Sequence, residues 1–397
     1  MDVSSGKYGT LVPFEYQASV ASYLHDNERE VWDWAVERTS RADQLDSLRA
    51  ALLRDTYRLD PQSHADVHAV LNTAMERLGI QVPATLYQSP GDQMNASLYF
   101  VPGEVHIIVQ GPLLERMSQD ELLAILGHEL AHYVLWSRDG GRFLIAERIL
   151  ANALAAPGTS PSLRETYRRY SLYTELYADR GGAIACGTVG PAISSLVKVI
   201  TGIRTVDPEA YLKQAREIES SLKSASDAHS HPETFIRARA LELWHGDADV
   251  LTQWLLARLH GPLALENLDL PGQLQLQQLT REFLSYYLAG TDLGSDAVLA
   301  QIRSTFPDWR DDEPHSGLLA FAPDRVDDGV RDYLNALMLD LVLVDGDQQD
   351  AALMRAASIA NQLGSMDRFQ QNLRRDAGFG RRELDRFKRQ LAKEAAA

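Results

Sequence analysis

The sequence predicts an α+β fold that is predominantly helical, and three observations carry that prediction. Apolar residues recur at helical spacing from about Ser19 to Leu78, the pattern then breaks into short β-rich runs, and beyond about Asp247 the β signal disappears. At 397 residues the chain exceeds the usual size of a single hydrophobic core, so two or three domains are expected.

The helical text of the first region includes "VASYLHDNEREVWDWAVERT" and "HADVHAVLNTAMERLGI". "PATLYQS" and "NASLYFV" follow as strands, and "PGE" joins the second to "VHIIVQ", which predicts a hairpin and a small sheet. Ser118 with Glu121 three residues on has capping-box spacing, so a helix opens there. It runs through "DELLAILGHELAHYVLW" and ends near "SRDGG", whose glycines terminate helices at little cost. A second helical block spans roughly Pro161 to Ala185, and a loop precedes "FIRARALELWHG". Further on, "FPDWRDDEPHSGLLAFAPDRVDDG" reads as a linker or exposed loop. Two amphipathic helices are expected around a turn at Asp345-Gly346-Asp347, whose glycine is misplaced for a calcium loop.

Composition excludes several functions. Apolar residues make up 45% and charged residues 24%, values of a folded, soluble chain. A formal net charge of −16 opposes broad nucleic-acid binding, which needs a basic face to replace phosphate counterions. The basic stretch from Arg374 to Ala397 reads as a solvated helix with Leu384, Phe387 and Leu391 facing inward. No run reaches the roughly 20 apolar residues of a membrane span, and the nearest, "CGTVGPAISSLVKVITGI", is broken by glycines, Pro191 and Lys198. The single cysteine, Cys186, excludes a disulfide framework and reads as inert packing. With no leader pattern in "MDVSSGKYGTLVPFEYQ", a cytoplasmic location is expected.

The chemistry concentrates in "ILGHELAHYVLW". Four residues apart on a helix, His128 and His132 share a face and can offer two imidazole nitrogens to one metal ion. Glu129, rotated by about 100°, can reach a water beside that ion without being a ligand. Catalytic zinc takes three protein donors, and Glu175 is the candidate for the third. Asp179, one turn beyond it, can hold a ligating imidazole by its other nitrogen, while Ala178, Gly181 and Gly182 allow close helix approach. Glu165 competes less well, because Arg169 four residues on favours an exposed ion pair. His64 and His68 share the spacing but lack the glutamate and an acidic partner, so they read as surface or packing residues.

The ordered set His128-Glu129-x-x-His132, Glu175-x-x-Ala178-Asp179 and "SHPETFIRAR" resembles gluzincin metallopeptidases of the HtpX and CAAX prenyl-protease type, over about Val82 to Leu243. The resemblance implies a zincin-like catalytic domain and one Zn2+ per chain, bound by His128, His132 and Glu175. It further implies Glu129 as general base and Asp179 as the orienting carboxylate. By the same resemblance His231 and Arg237 would face the tetrahedral oxyanion, and Asn95 and Ala96 would lie on the strand that aligns an extended peptide. Domains are expected at 1–65 (helical), 66–246 (catalytic), 247–330 (helical segment and acidic linker) and 331–397 (helical). The last resembles the tellurite-resistance TerB-type module. The expected function is a soluble zinc endopeptidase acting on peptide or protein, gated by the C-terminal region, with a catalytically silent or highly specific stress-response scaffold as the alternative.

Overall fold

The computed structural model describes residues 11–39, 42–221, 225–228, 231–310 and 313–394. Most of the segment read for a leader therefore lies outside the described residues. Two compact units divide the chain, Met1–His260 and Gly261–Ala397.

In the first unit, helices α1 (Glu15–Asn27), α2 (Arg29–Thr39), α3 (Ala42–Asp55) and α4 (Ala65–Arg77) precede and surround a four-stranded sheet. The strands are β1 (Tyr57–Arg58), β2 (Ala84–Ser89), β3 (Asn95–Val101) and β4 (Glu104–Gln110), in the order β1-β2-β4-β3. The expected hairpin is β3 and β4, with Val101 opposite Glu104 and Gly103 at φ 78° in the turn between them. Two features differ from the sequence reading: β2 pairs parallel to β4, and β1 interrupts the stretch read as helical. At two residues β1 is too short to register as a period, so its pairing with Tyr87 and Gln88 is a tertiary event. Being last in the order, β3 leaves one edge without a strand among the described residues.

Helices α5 (Leu113–Arg116), α6 (Gln119–Ser137), α7 (Arg142–Ala155), α8 (Pro161–Cys186) and α9 (Gly190–Thr201) come next. The unit ends with α10 (Pro208–Ser221), α11 (Thr234–Gly246) and α12 (Ala248–Leu255). The Ser118–Glu121 capping box is formed in both directions, at 2.8 Å and 3.3 Å, and fixes where α6 begins. Asp139, Gly140 and Gly141 adopt positive φ and end the helical run where the glycines predicted it. α6 and α8 pack at backbone distance because Gly127, Gly181 and Gly182 lie in the contact. A Cβ on Gly182 would meet the Ala124 carbonyl at 2.7 Å, and one on Gly181 would collide with Ala131. Leu126 and Leu130 on the inner side of α6 are fully buried with Leu71, Leu86 and Ile107 from α4 and the sheet, Ile125 is buried, and Val134 is half-buried.

The second unit is helical: α13 (Leu270–Leu288), α14 (Asp296–Thr305), α15 (Asp328–Val344), α16 (Gln349–Gln362), α17 (Met366–Arg375) and α18 (Arg381–Glu394). α15 and α16 are the two expected helices around the Asp345-Gly346-Asp347 turn. The acidic segment read as a linker or exposed loop is a correction. Trp309, Phe321 and Val326 from it are buried in the unit's own core beside Phe283 and Leu334, because scattered apolar residues outweigh its Pro/Gly punctuation. No helix among the described residues is long and apolar enough to cross a membrane.

Candidate metal centre

α6 presents His128 and His132 to the same side, and the close α6–α8 packing carries Glu175 up to them. The His128 and His132 Nε2 atoms are 3.3 Å apart, and Glu175 places Oε2 3.6 Å from the first and Oε1 3.7 Å from the second. Among the described residues these three form the one group of His, Cys, Asp or Glu arranged to hold a metal ion.

The donor set fits zinc. Tetrahedral bonds of about 2.0–2.1 Å require donors roughly 3.3–3.4 Å apart, close to the observed spacing and longer than a good hydrogen bond. Charge agrees with distance. Burial and the neighbouring His128 push His132 down to about 4, so its imidazole is neutral with a lone pair to give. For Glu175, burial alone would push the carboxyl up, but Arg237 and the histidines hold it below the usual carboxylate range.

The two histidines are held by different means. Burial disfavours a charged His128, yet its Nδ1 lies 3.1 Å from Asp179 Oδ1, and that bond with the nearby Glu175 raises its pKa. Arg237, from α11, donates twice to Asp179, Nη2 at 2.6 Å and Nε at 2.8 Å, and its Nη2 is 3.4 Å from Glu175. Burial opposes ionisation of Asp179, but this arginine and His128 keep it well below the ordinary range. His132 Nδ1 is buried without a hydrogen-bond partner; the Trp136 indole stacks on its ring instead, with centroids 5.2 Å apart. Trp136 Nε1 donates to Glu147 of α7 at 2.8 Å.

The remaining sequence candidates lie around this core. Glu129 is buried beside the site, and burial pushes its carboxyl up to about 7. The His231 ring is 62% exposed at the rim, with Nε2 3.7 Å from Glu175 Oε1. Arg237 is only 11% exposed and committed to Asp179 and Glu175, which makes it a support for the carboxylates more than a rim donor. Asn95 and Ala96 line the same cleft at the start of β3. Glu165 is spent on Arg168 and Arg169, away from the cluster. For His68, Nε2 is 2.9 Å from the Leu59 carbonyl, while the His64 ring meets Tyr57 edge-on at 6.0 Å. Cys186 is half-buried, and burial pushes its thiol up to about 12, which fits an inert role.

Sequence reading missed Trp136, Glu147 and the lining contributed by α9. Trp136 sits four residues after His132, a spacing that could have found it. Glu147 and α9 arrive through tertiary packing alone. The helix that walls the cleft is the apolar stretch weighed only as a broken membrane span.

Residues 61–158 match the model of Peptidase family M48. A 199-residue stretch is 28% identical to the plastoglobule-localized metallopeptidase 48, chloroplastic, of Arabidopsis thaliana, covering 45% of this chain and 57% of that protein. The chain thus spans little more than half the length of the curated relative it matches. No solved structure matches. The matched segment contains both histidines and Glu129, while Glu175 joins them from α8 beyond it; over that segment the chain is similar to peptidase family M48.

Proposed function

We propose that this protein is a zinc-dependent metalloendopeptidase. The observation that carries the reading is the His128–His132–Glu175 donor set with Glu129 buried beside it, in a cleft bounded by the free edge of β3. His128, His132 and Glu175 would hold one zinc ion. The chemistry supplied by a zinc ion bound there is acidification of water and polarisation of the scissile carbonyl.

The chain's own residues do the rest. Glu129 accepts the proton that water loses as it adds to the carbonyl, and delivers it to the amine as the C–N bond breaks. Burial favours its protonated form, which helps it take up the proton that it later delivers. Asp179 fixes the His128 ring through Nδ1, and Arg237 fixes Asp179. His231 at the rim donates to the negative charge that develops on the carbonyl oxygen. The β3 edge at Asn95 and Ala96 pairs with an extended peptide backbone, which aligns the chain while reading little of its sequence. The cleft continues past Asn95 into a second cavity, so a peptide need not end at the site. Cys186 as the lone cysteine supports a reducing compartment, and we place the protein in the cytoplasm on that basis.

Metal analysis of the purified protein should find one zinc per chain. Hydrolysis of an unstructured protein should fall about 10²–10⁴-fold in Glu129→Gln with zinc retained. A native protein without zinc would favour the scaffold reading instead.

A further inference from the structure

A histidine offers its nitrogen in a fixed direction only when contacts set its ring, because the torsion about Cβ–Cγ is broad. Ligating histidines are usually fixed by a hydrogen bond from the second ring nitrogen. His128 has that bond, with Asp179 Oδ1 3.1 Å from its Nδ1. His132 is held otherwise. The residue is buried, and its Nδ1 is shut off from solvent with no hydrogen-bond partner among the described residues.

What does touch the ring is aromatic. Trp136 follows His132 by four residues, so the two side chains stack along one face of α6. Their rings are 27° from parallel with centroids 5.2 Å apart, whereas His128 meets the His132 ring edge-on, at 81° and 5.0 Å. An offset stack restrains the plane of a ring and adds no charge to it.

The indole is itself held at two further points. Trp136 is the last residue but one of α6, where a helix end frays and gives a side chain little support. The turn at Asp139, Gly140 and Gly141 sends the chain back as α7, and Glu147 from α7 accepts the indole Nε1–H at 2.8 Å. From the sheet, Phe100 of β3 meets the indole at 90° with centroids 6.1 Å apart, and the same ring packs on Tyr133 of α6 at 5.5 Å. Glu147 therefore acts on His132 through an aromatic ring, where Asp179 acts on His128 directly.

We propose that Trp136 is a positioning residue for the metal centre: its indole, held by Glu147 and Phe100, fixes the plane of the His132 ring as Asp179 fixes that of His128. The inference rests on the donor set assigned above. One ligand is oriented by a hydrogen bond to a carboxylate and the other by a neutral stack. Loss of the stack weakens the site through geometry, with the charge around the donors unchanged.

The test uses the full-length chain, stripped of metal and titrated with Zn2+ against a chelating dye, then loaded with Co2+ for its visible absorption spectrum. Trp136→Leu removes the ring, and Trp136→Phe restores a ring without the indole donor. Zinc affinity should fall about tenfold in Trp136→Leu and return to within about threefold of the wild type in Trp136→Phe. The cobalt spectrum, which reports ligand geometry and not fold stability, should shift in the first variant and move back in the second. Glu147→Leu keeps the indole but removes its acceptor, and should shift the spectrum in the same direction by less. Wild-type affinity and spectrum in Trp136→Leu, or an equal loss in Trp136→Phe, overturns the positioning role and leaves the donor set standing. Should Trp136→Leu fail to fold, Glu147→Leu decides: a shifted spectrum supports the role, and an unshifted one overturns it. A wild-type chain that takes up neither ion overturns the donor set itself, and the inference with it.

Discussion

Two pairs of histidines in this chain have the same spacing and opposite fates. His128 and His132 lie within one helix, with a carboxylate brought to both by a second helix at backbone distance. His64 sits outside α4 as its N-cap and meets a tyrosine, while His68 spends its Nε2 on a backbone carbonyl. Spacing of four makes two imidazoles available. What turns them into a metal centre is a third donor and a group that orients the rings. In the first pair Asp179 supplies that orientation for His128, and in the second the hydrogen bond of His68 closes the strand β1 onto α4.

The comparison is broken most directly at Asp179. Asp179→Asn keeps the shape but loses the charge that holds both His128 and Arg237, and zinc affinity should fall about 10–100-fold by competition with a chelating dye. The paired variant His64→Ala/His68→Ala should leave that affinity unchanged. Equal losses in the two proteins would mean that the orienting carboxylate is not what separates the pairs.

A smaller effect lies on the other side of the centre, where His132 rests on Trp136 and Trp136 on Glu147. Burial pushes the half-buried Glu147 carboxyl from its ordinary 4.5 up to about 7. The folded state thus keeps a proton that the unfolded chain has already released. Its contribution is complete below about pH 4.5 and is lost as the pH rises through 7. Glu147→Gln retains an acceptor for Trp136 Nε1 and removes the titration. Relative to the wild type it should gain about 1 kcal/mol between pH 5 and pH 8 in urea unfolding, a figure discounted for partial solvent screening. Parallel pH profiles for the two proteins would contradict the burial of that carboxyl.

How far the sequence could be read follows from the same contrast. The donors and their orienter belong to two helices with clear periods and caps, so His128, His132, Glu175 and Asp179 were legible as a set, and Gly181 and Gly182 announced the close approach. The hairpin was legible because its period is two and its turn contains Pro-Gly. β1, the parallel pairing of β2 with β4, Glu147 and the α9 wall were not, since each depends on which surfaces meet in three dimensions. The segment 306–329 was misread for a related reason: its charges and prolines dominate the local text, while the buried side chains of Phe306, Trp309, Phe321 and Val326 decide where it goes.

The smallest effect sharpens the comparison from the other end. His68 donates from Nε2 to the Leu59 carbonyl at 2.9 Å, next to Arg58 at the end of β1. Removing that donor in His68→Ala leaves a carbonyl of a buried residue short of one partner, although the Leu59 amide keeps its bond to Leu86. A net hydrogen bond of this kind is worth about 0.5–1.5 kcal/mol. Chemical unfolding should therefore register a loss near 1 kcal/mol with zinc content at one per chain and catalysis unaltered. Loss of zinc from this variant would show instead that the second pair also takes part in holding metal, and that a shared spacing means a shared role.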